Sequence, residues 1–231
     1  MDAIILAAGL GTRLRPHTLT TPKPLLPIQG RPILDWIIAA LPTTVTRLVI
    51  VTHYLADQVE HYVKTQQRIP DAVTVHQEKP RGTGDALMAC RDAVRSDRFF
   101  VLNGDDLYSA ADLAALAEKP AGVLVHPVDE PWRFGIAFTR PDGTLEKLVE
   151  KPKLEGRHMA NIGGYLFPRS AFDVKLNLSE RGEYEITDVV NALASQGPFH
   201  AVPATAWLPI GDEAAWRAAE KLDLKSLIEK K

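Results

Sequence analysis

Apolar residues fall into two spacings along the chain, and the spacings alternate. Ala3–Ala8 is an unbroken apolar run ending at Gly9, and Arg47–Thr52 is a second run rich in β-branched residues; both predict buried strands. Between them, Ile33–Leu41 carries apolar residues at helical intervals, with Pro32 where a helix start tolerates proline. Leu55–Gln66 predicts a further helix, Ala72–His76 a short strand, and Thr83–Val94 a helix. Phe99–Leu102 then predicts a strand that runs into Asn103-Gly104-Asp105-Asp106. This alternation predicts a mainly parallel sheet covered by helices on both faces, an α/β architecture.

The second half is less regular. Gly122–Pro127, Phe134–Thr139, Leu145–Val149 and Asn161–Phe167 predict strands, the middle two joined by the turn-like Pro141-Asp142-Gly143. Glu185–Ser195 and Glu213–Ile228 read as helices, and Lys225, Lys230 and Lys231 as a solvated tail suited to a helix C-terminus. No repeat, low-complexity tract or linker interrupts the chain, and its prolines are dispersed. Residues 1–231 therefore read as one domain with an inserted mixed-sheet lobe, its halves meeting near residue 107.

Composition narrows the function. The 231 residues are 45% hydrophobic and 24% charged, ordinary globular values, and the net charge of −2 argues against nucleic acid or an anionic membrane as partner. The single cysteine, Cys90, excludes an intramolecular disulfide and a cysteine-based zinc site; beside Met88 and Ala89 in a helical pattern it reads as a buried, inert thiol. No charged-then-apolar leader opens the sequence, and no apolar run approaches the ~20 residues needed to cross a bilayer, so a cytoplasmic protein is expected. The histidines, among them His53, His61, His76 and His126, show no ligand-spaced pair and are assigned to no catalytic role. Trp207 and Trp216 read as packing residues.

The strongest chemical signal follows the first strand, in Leu6-Ala7-Ala8-Gly9-Leu10-Gly11-Thr12-Arg13-Leu14-Arg15-Pro16. From Ala3 to Leu34 there is no acidic residue, yet Arg13, Arg15, Lys23 and Arg31 are cationic. A glycine loop exposes backbone N–H groups, and with those cations it suits phosphate oxygens. The loop is not a P-loop, which needs glycine followed by Lys-Ser or Lys-Thr. Nor is it the dinucleotide fingerprint, because Leu14 stands where that motif needs glycine or alanine.

With Thr21-Pro22-Lys23-Pro24-Leu25-Leu26-Pro27 added, this stretch resembles the sugar-1-phosphate nucleotidyltransferase family. The resemblance implies a three-layer α/β/α, Rossmann-like fold with a mixed central sheet. It also implies transfer of a nucleotidyl group from a nucleoside triphosphate to a sugar 1-phosphate, with Mg²⁺, or Mn²⁺ in its place, as cofactor. Leu6, Ala7, Ala8, Gly9, Gly11, Thr12, Arg13 and Lys23 would hold the triphosphate, in a nucleotide-binding half over residues 1–107. Gln77-Glu78-Lys79-Pro80-Arg81-Gly82-Thr83-Gly84 resembles the base-reading element: the Gln77 amide offers donor and acceptor to a base edge, Gly82 allows close approach, and Thr83 is expected to cap the helix that follows it. Thymidine or uridine triphosphate is favoured by resemblance, guanosine or cytidine triphosphate remaining as alternatives.

The family's metal aspartate corresponds to Asp105, which a buried strand would deliver with Gly104; Asp106 would support it or merely begin the next helix. Residues 108–231 would bind the sugar phosphate. There Phe134-Gly135-Ile136, Glu150-Lys151-Pro152, Asn161-Ile162-Gly163-Gly164-Tyr165 and Gly182-Glu183-Tyr184-Glu185-Ile186-Thr187-Asp188 resemble sugar-side elements. The residues carried over are Gly135, Glu150, Asn161 and Thr187 for the sugar and Lys151 for its phosphate.

One element departs from the pattern. Trp207-Leu208-Pro209-Ile210-Gly211-Asp212 occupies the place of the family's Trp-x-Asp-x-Gly, so Pro209 replaces the expected second metal ligand and Asp212 is the nearest substitute. Two rival readings follow: transfer to a phosphorylated alcohol such as phosphocholine, or a non-catalytic sensor of nucleotide sugars. By resemblance, a member this short carries no C-terminal left-handed β-helix domain and no acetyltransferase activity. A monomer or small homo-oligomer is expected.

Overall fold

A computed structural model describes residues 1–228. The chain opens with strand β1 (Asp2–Leu6), whose apolar side chains are buried on both sheet faces. Irregular chain with short 3₁₀ turns leads to the small hairpin β2 (Pro27–Ile28) and β3 (Arg31–Pro32), then to helix α1 (Ile33–Ala40). Three strands and two helices then alternate: β4 (Arg47–Thr52), α2 (Ala56–Thr65), β5 (Ala72–His76), α3 (Thr83–Met88) and β6 (Arg98–Asn103). Strands β6, β1, β4 and β5 lie side by side and parallel in that order, as the alternating pattern required.

Beyond β6 the pairing changes direction. The chain continues through β7 (Asp106–Tyr108), α4 (Ala110–Ala117), β8 (Gly122–Val128), β9 (Gly135–Thr139), β10 (Leu145–Glu150) and the long β11 (His158–Pro168). It finishes with α5 (Ile186–Gln196), β12 (His200–Pro203), β13 (Trp207–Pro209), α6 (Glu213–Ala219) and α7 (Leu224–Ile228). Strand β11 runs antiparallel to β6 over Gly164–Pro168, and its first half projects past the carboxyl end of β6, where it meets β9 at Ala160. The resulting nine-stranded sheet is mixed, with β10 and β5 at opposite ends of its main path.

Alternation within each buried strand divides the core into two layers. Ala3 and Ile5 of β1 pack with α1, α2 and α4 on one face, while Ile4 packs with α3 and α5 on the other. The fold is the three-layer α/β/α arrangement with a mixed sheet. Among the described residues no helix is long and apolar enough to cross a membrane.

Several expectations need correction. The helix predicted over Thr83–Val94 stops at Met88 and continues as turns, with Cys90 N–H donating to Leu87 O at 2.9 Å. Cys90 is fully buried there, and burial pushes its thiol up to about 12. The single helix predicted over Glu213–Ile228 is two, because the Gln29 amide donates to Ala219 O and Leu222 O (3.1 and 2.6 Å) at the break. Asp106 opens a strand, not a helix. Lys230 and Lys231 lie outside the described residues.

Candidate active site

Strands β1 and β6 are neighbours with Leu6 opposite Asn103, so the chain leaves the sheet at the same level from both. The strand order reverses between them, the position where open α/β sheets form a ligand crevice. Gly104 N–H donates to Leu6 O at 3.0 Å, and a Cβ at Gly104 would stand 2.7 Å from that oxygen. Only glycine lets the two turns approach this closely, and the approach carries Asp105 to the glycine loop.

The loop is fastened from below. Leu14 is fully buried, and Thr18 Oγ1 donates to Gly11 O at 2.8 Å. Gly11 has φ +60°, and a Cβ there would meet Thr18 Cγ2 at 2.9 Å. Gly9, Thr12 and Arg13 remain exposed above these anchors. Lys23 is buried and sends Nζ to Asp105 Oδ2 at 2.5 Å. A cleft of about 350 Å³ is lined by Leu6, Ala7, Ala8, Gly9, Lys23, Gln77, Gly82, Thr83 and Asp105. Arg13, Gly11 and Thr12 line an adjoining cavity that shares Asp105.

At one end of the cleft stands Gln77, buried at the end of β5. Its backbone N–H donates to Thr52 O (2.8 Å), and its Nε2 donates to Asp85 Oδ2 (2.9 Å). The carboxylate fixes the amide orientation, and among the described residues no donor reaches Gln77 Oε1. Gly82 has φ +117°, and a Cβ there would lie 2.4 Å from Tyr184 O. Thr83 does not cap its own helix; its hydroxyl instead accepts from Ile186 N–H at 3.1 Å.

At the other end, the projecting half of β11 meets β9, which pairs in turn with β10. A Cβ on Gly135 would stand 3.1 Å from Glu150 Oε2 and 3.8 Å from Asn161 Nδ2, so these three residues share one place. Asn161 is held by Tyr165, to whose hydroxyl Nδ2 donates at 2.7 Å, and by Gly163 N–H. Glu150 and Lys151 line a cavity with Thr187, Glu185 and Arg181. Burial first, then the Glu185 charge, raise the Glu150 pKa, while Lys151 and Arg181 pull it down. Lys151 has φ +45°, the left-handed region that a non-glycine side chain adopts only when its surroundings impose it.

The carboxylates near the glycine loop differ in their surroundings. Asp106 is buried and accepts from Asn103 Nδ2 at 2.9 Å; burial and then the Asp105 charge push its pKa up to about 7. The buried Trp207 indole N–H lies beside this carboxyl, biasing it electrostatically without reaching hydrogen-bond geometry. Ile210 N–H donates to Asp105 O, so Pro209 faces Asp106 at a cross-strand site where the ladder asks for no N–H. Asp212 caps α6 by accepting from Ala215 N–H at 2.9 Å, and it lines one cavity with Asp105, Asn161 and Pro209. Among the described residues no group of three or more His, Cys, Asp or Glu could hold a metal unaided. Two hard carboxylates on one cavity do suit Mg²⁺, which completes its shell with phosphate oxygens and water.

The match to known proteins now has a geometry to rest on. Residues 2–226 match the sequence profile of the family described as nucleotidyl transferase. The chain belongs to the sugar-1-phosphate nucleotidyltransferase family. It is 35% identical over its whole length to the bifunctional protein GlmU of Methanococcus maripaludis strain C7, covering 56% of that protein. It is 32% identical over 85% of its length to the low-salt glycan biosynthesis nucleotidyltransferase Agl11 of Haloferax volcanii, covering 58% of it. The chain thus spans about half the length of the curated relatives it matches. A crystal structure of a candidate glucose-1-phosphate thymidylyltransferase from Bacillus anthracis superposes with a TM-score of 0.81 at 30% identity, over 95% of this chain and 94% of that one.

Two residues of this family member escaped the sequence reading. Arg181 reaches Glu150 and Glu185 at 3.3 Å each and Glu183 at 3.4 Å. Its sequence signal was a cation before Gly182 with Glu183 and Glu185 two and four residues on. Trp207 does more than pack: it contacts Phe134 edge-on, with ring centroids 5.6 Å apart, and lines the Asp105 cavity.

Proposed function

We propose that the chain catalyses attack by a sugar 1-phosphate oxygen on the α-phosphorus of a nucleoside triphosphate, forming a nucleoside diphosphate sugar and releasing pyrophosphate. The observation that carries this reading is the cleft itself. Cavities that share lining residues run from Gln77, past the glycine loop and the Lys23–Asp105 pair, to Asn161, and Glu150 stands against the same Gly135 as Asn161.

The exposed N–H groups of the loop and Arg13 would bind the triphosphate, and Lys23 would offset the charge that grows on the α-phosphate and the departing pyrophosphate. Lys151 and Arg181 would orient the attacking phosphate, which is already ionised and needs no general base. Glu150 and Asn161 would accept from and donate to the sugar hydroxyls. Asp105 would hold Mg²⁺, with the free oxygen of Asp212 as second protein ligand in place of Pro209. A bound Mg²⁺ supplies charge neutralisation on the phosphates.

The fixed Gln77 amide favours a base that presents an imino N–H to Oε1, which uracil, thymine and guanine carry and cytosine and adenine lack. Sugar polyols rather than phosphocholine suit the acceptor, because the cavity of Glu150 and Lys151 is lined by carboxylates, an amide and cations and by no aromatic ring.

Pyrophosphate release should be measured with each of the common nucleoside triphosphates against a panel of sugar 1-phosphates and phosphocholine, in Mg²⁺ and in Mn²⁺. Release with uridine or thymidine triphosphate and a sugar phosphate is expected. Binding without release for every pair would favour the sensor reading, and release with phosphocholine alone would move the acceptor class.

A further inference from the structure

The first turn of α5 presents a gap in its own sequence. Its N-cap, Glu185, makes no side-chain cap hydrogen bond, yet the leading N–H groups of a helix need partners. The partner of Ile186 N–H comes from 103 residues away: the Thr83 hydroxyl accepts it at 3.1 Å. Two backbone bonds flank this contact. Tyr184 N–H donates to Arg81 O, and Gly84 N–H donates to Tyr184 O, both at 2.8 Å. Gly82 has no room for a side chain because the Tyr184 backbone lies against it. The Arg81 guanidinium also sits 5.7 Å from the Tyr184 ring centre.

The clasped segment faces two ways. Glu183 lines the cleft with Gln77 and Gly82, while Glu185 and Thr187 line the cavity with Glu150 and Lys151. A base seated against Gly82 and Thr83 therefore presses on the same backbone that walls the acceptor cavity.

We infer that Thr83 is a positioning residue for the acceptor side, holding α5 to the base-reading loop so that a bound nucleotide tightens the acceptor cavity. The second half of this statement rests on the nucleotidyl-transfer reading; the first does not. Ordering a shared segment once, for whichever ligand arrives first, gives positive coupling between two sites without a large movement.

Thr83→Val keeps the shape and removes the acceptor, and Thr83→Ser restores it. In the free protein, amide exchange over the first turn of α5 should be about tenfold faster in Thr83→Val than in wild type or Thr83→Ser, the loss of about one hydrogen bond. Equal exchange in all three would overturn the cap. Coupling is then read as the affinity for glucose 1-phosphate with and without uridine α,β-methylene triphosphate, which cannot react. Tightening of about tenfold is expected in wild type and Thr83→Ser and none in Thr83→Val. Tightening retained in Thr83→Val, or absent from wild type that binds both ligands, would overturn the coupling. Failure of wild type to bind the nucleotide at all would overturn the coupling together with the functional reading, and the exchange result would still judge the cap.

Discussion

The two ends of the same parallel strands are built to opposite rules. At the amino end of β1, Asp2 is saturated: its Oδ2 accepts from Arg95 N–H (2.6 Å) and Ser96 N–H (3.2 Å), and its Oδ1 from the Ser96 hydroxyl (2.6 Å). Arg47, opening β4, is buried against Asp71 and also donates to Ala93 O at 3.2 Å. At the carboxyl end, Arg13 is exposed, Gln77 keeps one acceptor uncommitted, and the Asp105 side chain is 40% exposed, with Lys23 its hydrogen-bonded partner among the described residues. Polar groups at one end find their partners within the chain. At the other they are held in place with capacity left over, which is what a ligand site requires.

That contrast is breakable by substitution. Asp105→Asn, which keeps a side-chain oxygen to accept from the buried Lys23 ammonium, should lower turnover by on the order of 10³ while leaving the unfolding free energy nearly unchanged, checked by pyrophosphate release beside urea denaturation. Lys23→Ala should cost about 10² in turnover, seen mainly in kcat, because the charge it offsets develops during the reaction. Asp2→Asn should do the reverse, losing about 2 kcal/mol of stability at pH 7 with turnover per folded molecule intact.

The Asp2 effect has a pH signature. Burial raises its pKa, but the hydrogen bonds from Arg95 and Ser96 and the Arg47 charge outweigh burial and hold it below the usual 3.8. A depressed carboxyl stabilises the fold above its unfolded pKa and loses that contribution as pH falls through the folded value. The difference between wild type and Asp2→Asn should therefore shrink below about pH 4 in thermal denaturation. Smallest of all, Pro209→Asp should tighten the apparent Mg²⁺ affinity by about threefold, by adding a carboxylate beside one that is half engaged in capping. Titration of Mn²⁺ by electron spin resonance would read this directly.

Legibility in the sequence followed the length of the signal. Strands β1, β4 and β6 were plain because buried parallel strands read as continuous apolar runs. Strands β7 and β13 were invisible: each has three residues, and one starts with Asp106 while the other ends with Pro209. Helix α4 was missed although Leu113 and Leu116 are buried, because Ala and Asp around them blur the helical stripe. At the site, Gly9, Gly11, Lys23 and Asp105 lie within motifs that hold together over ten residues or so. The second role of Thr83 was out of reach, since its partner Ile186 is distant in sequence and backbone donors leave no trace in residue identity. Arg181 was likewise hidden, because Glu183 and Glu185 are its near neighbours in sequence but its link to Glu150 forms only on folding.

The proposed function turns on one bond, from the sugar phosphate oxygen to the α-phosphorus. Phosphorus-31 NMR of the purified chain with Mg²⁺, uridine or thymidine triphosphate and a sugar 1-phosphate tests it most directly. The triphosphate and sugar-phosphate signals should fall while pyrophosphate and the paired doublets of a nucleoside diphosphate sugar grow in equal amounts. A spectrum in which no sugar-linked diphosphate forms, with any triphosphate and any sugar 1-phosphate supplied, would contradict it.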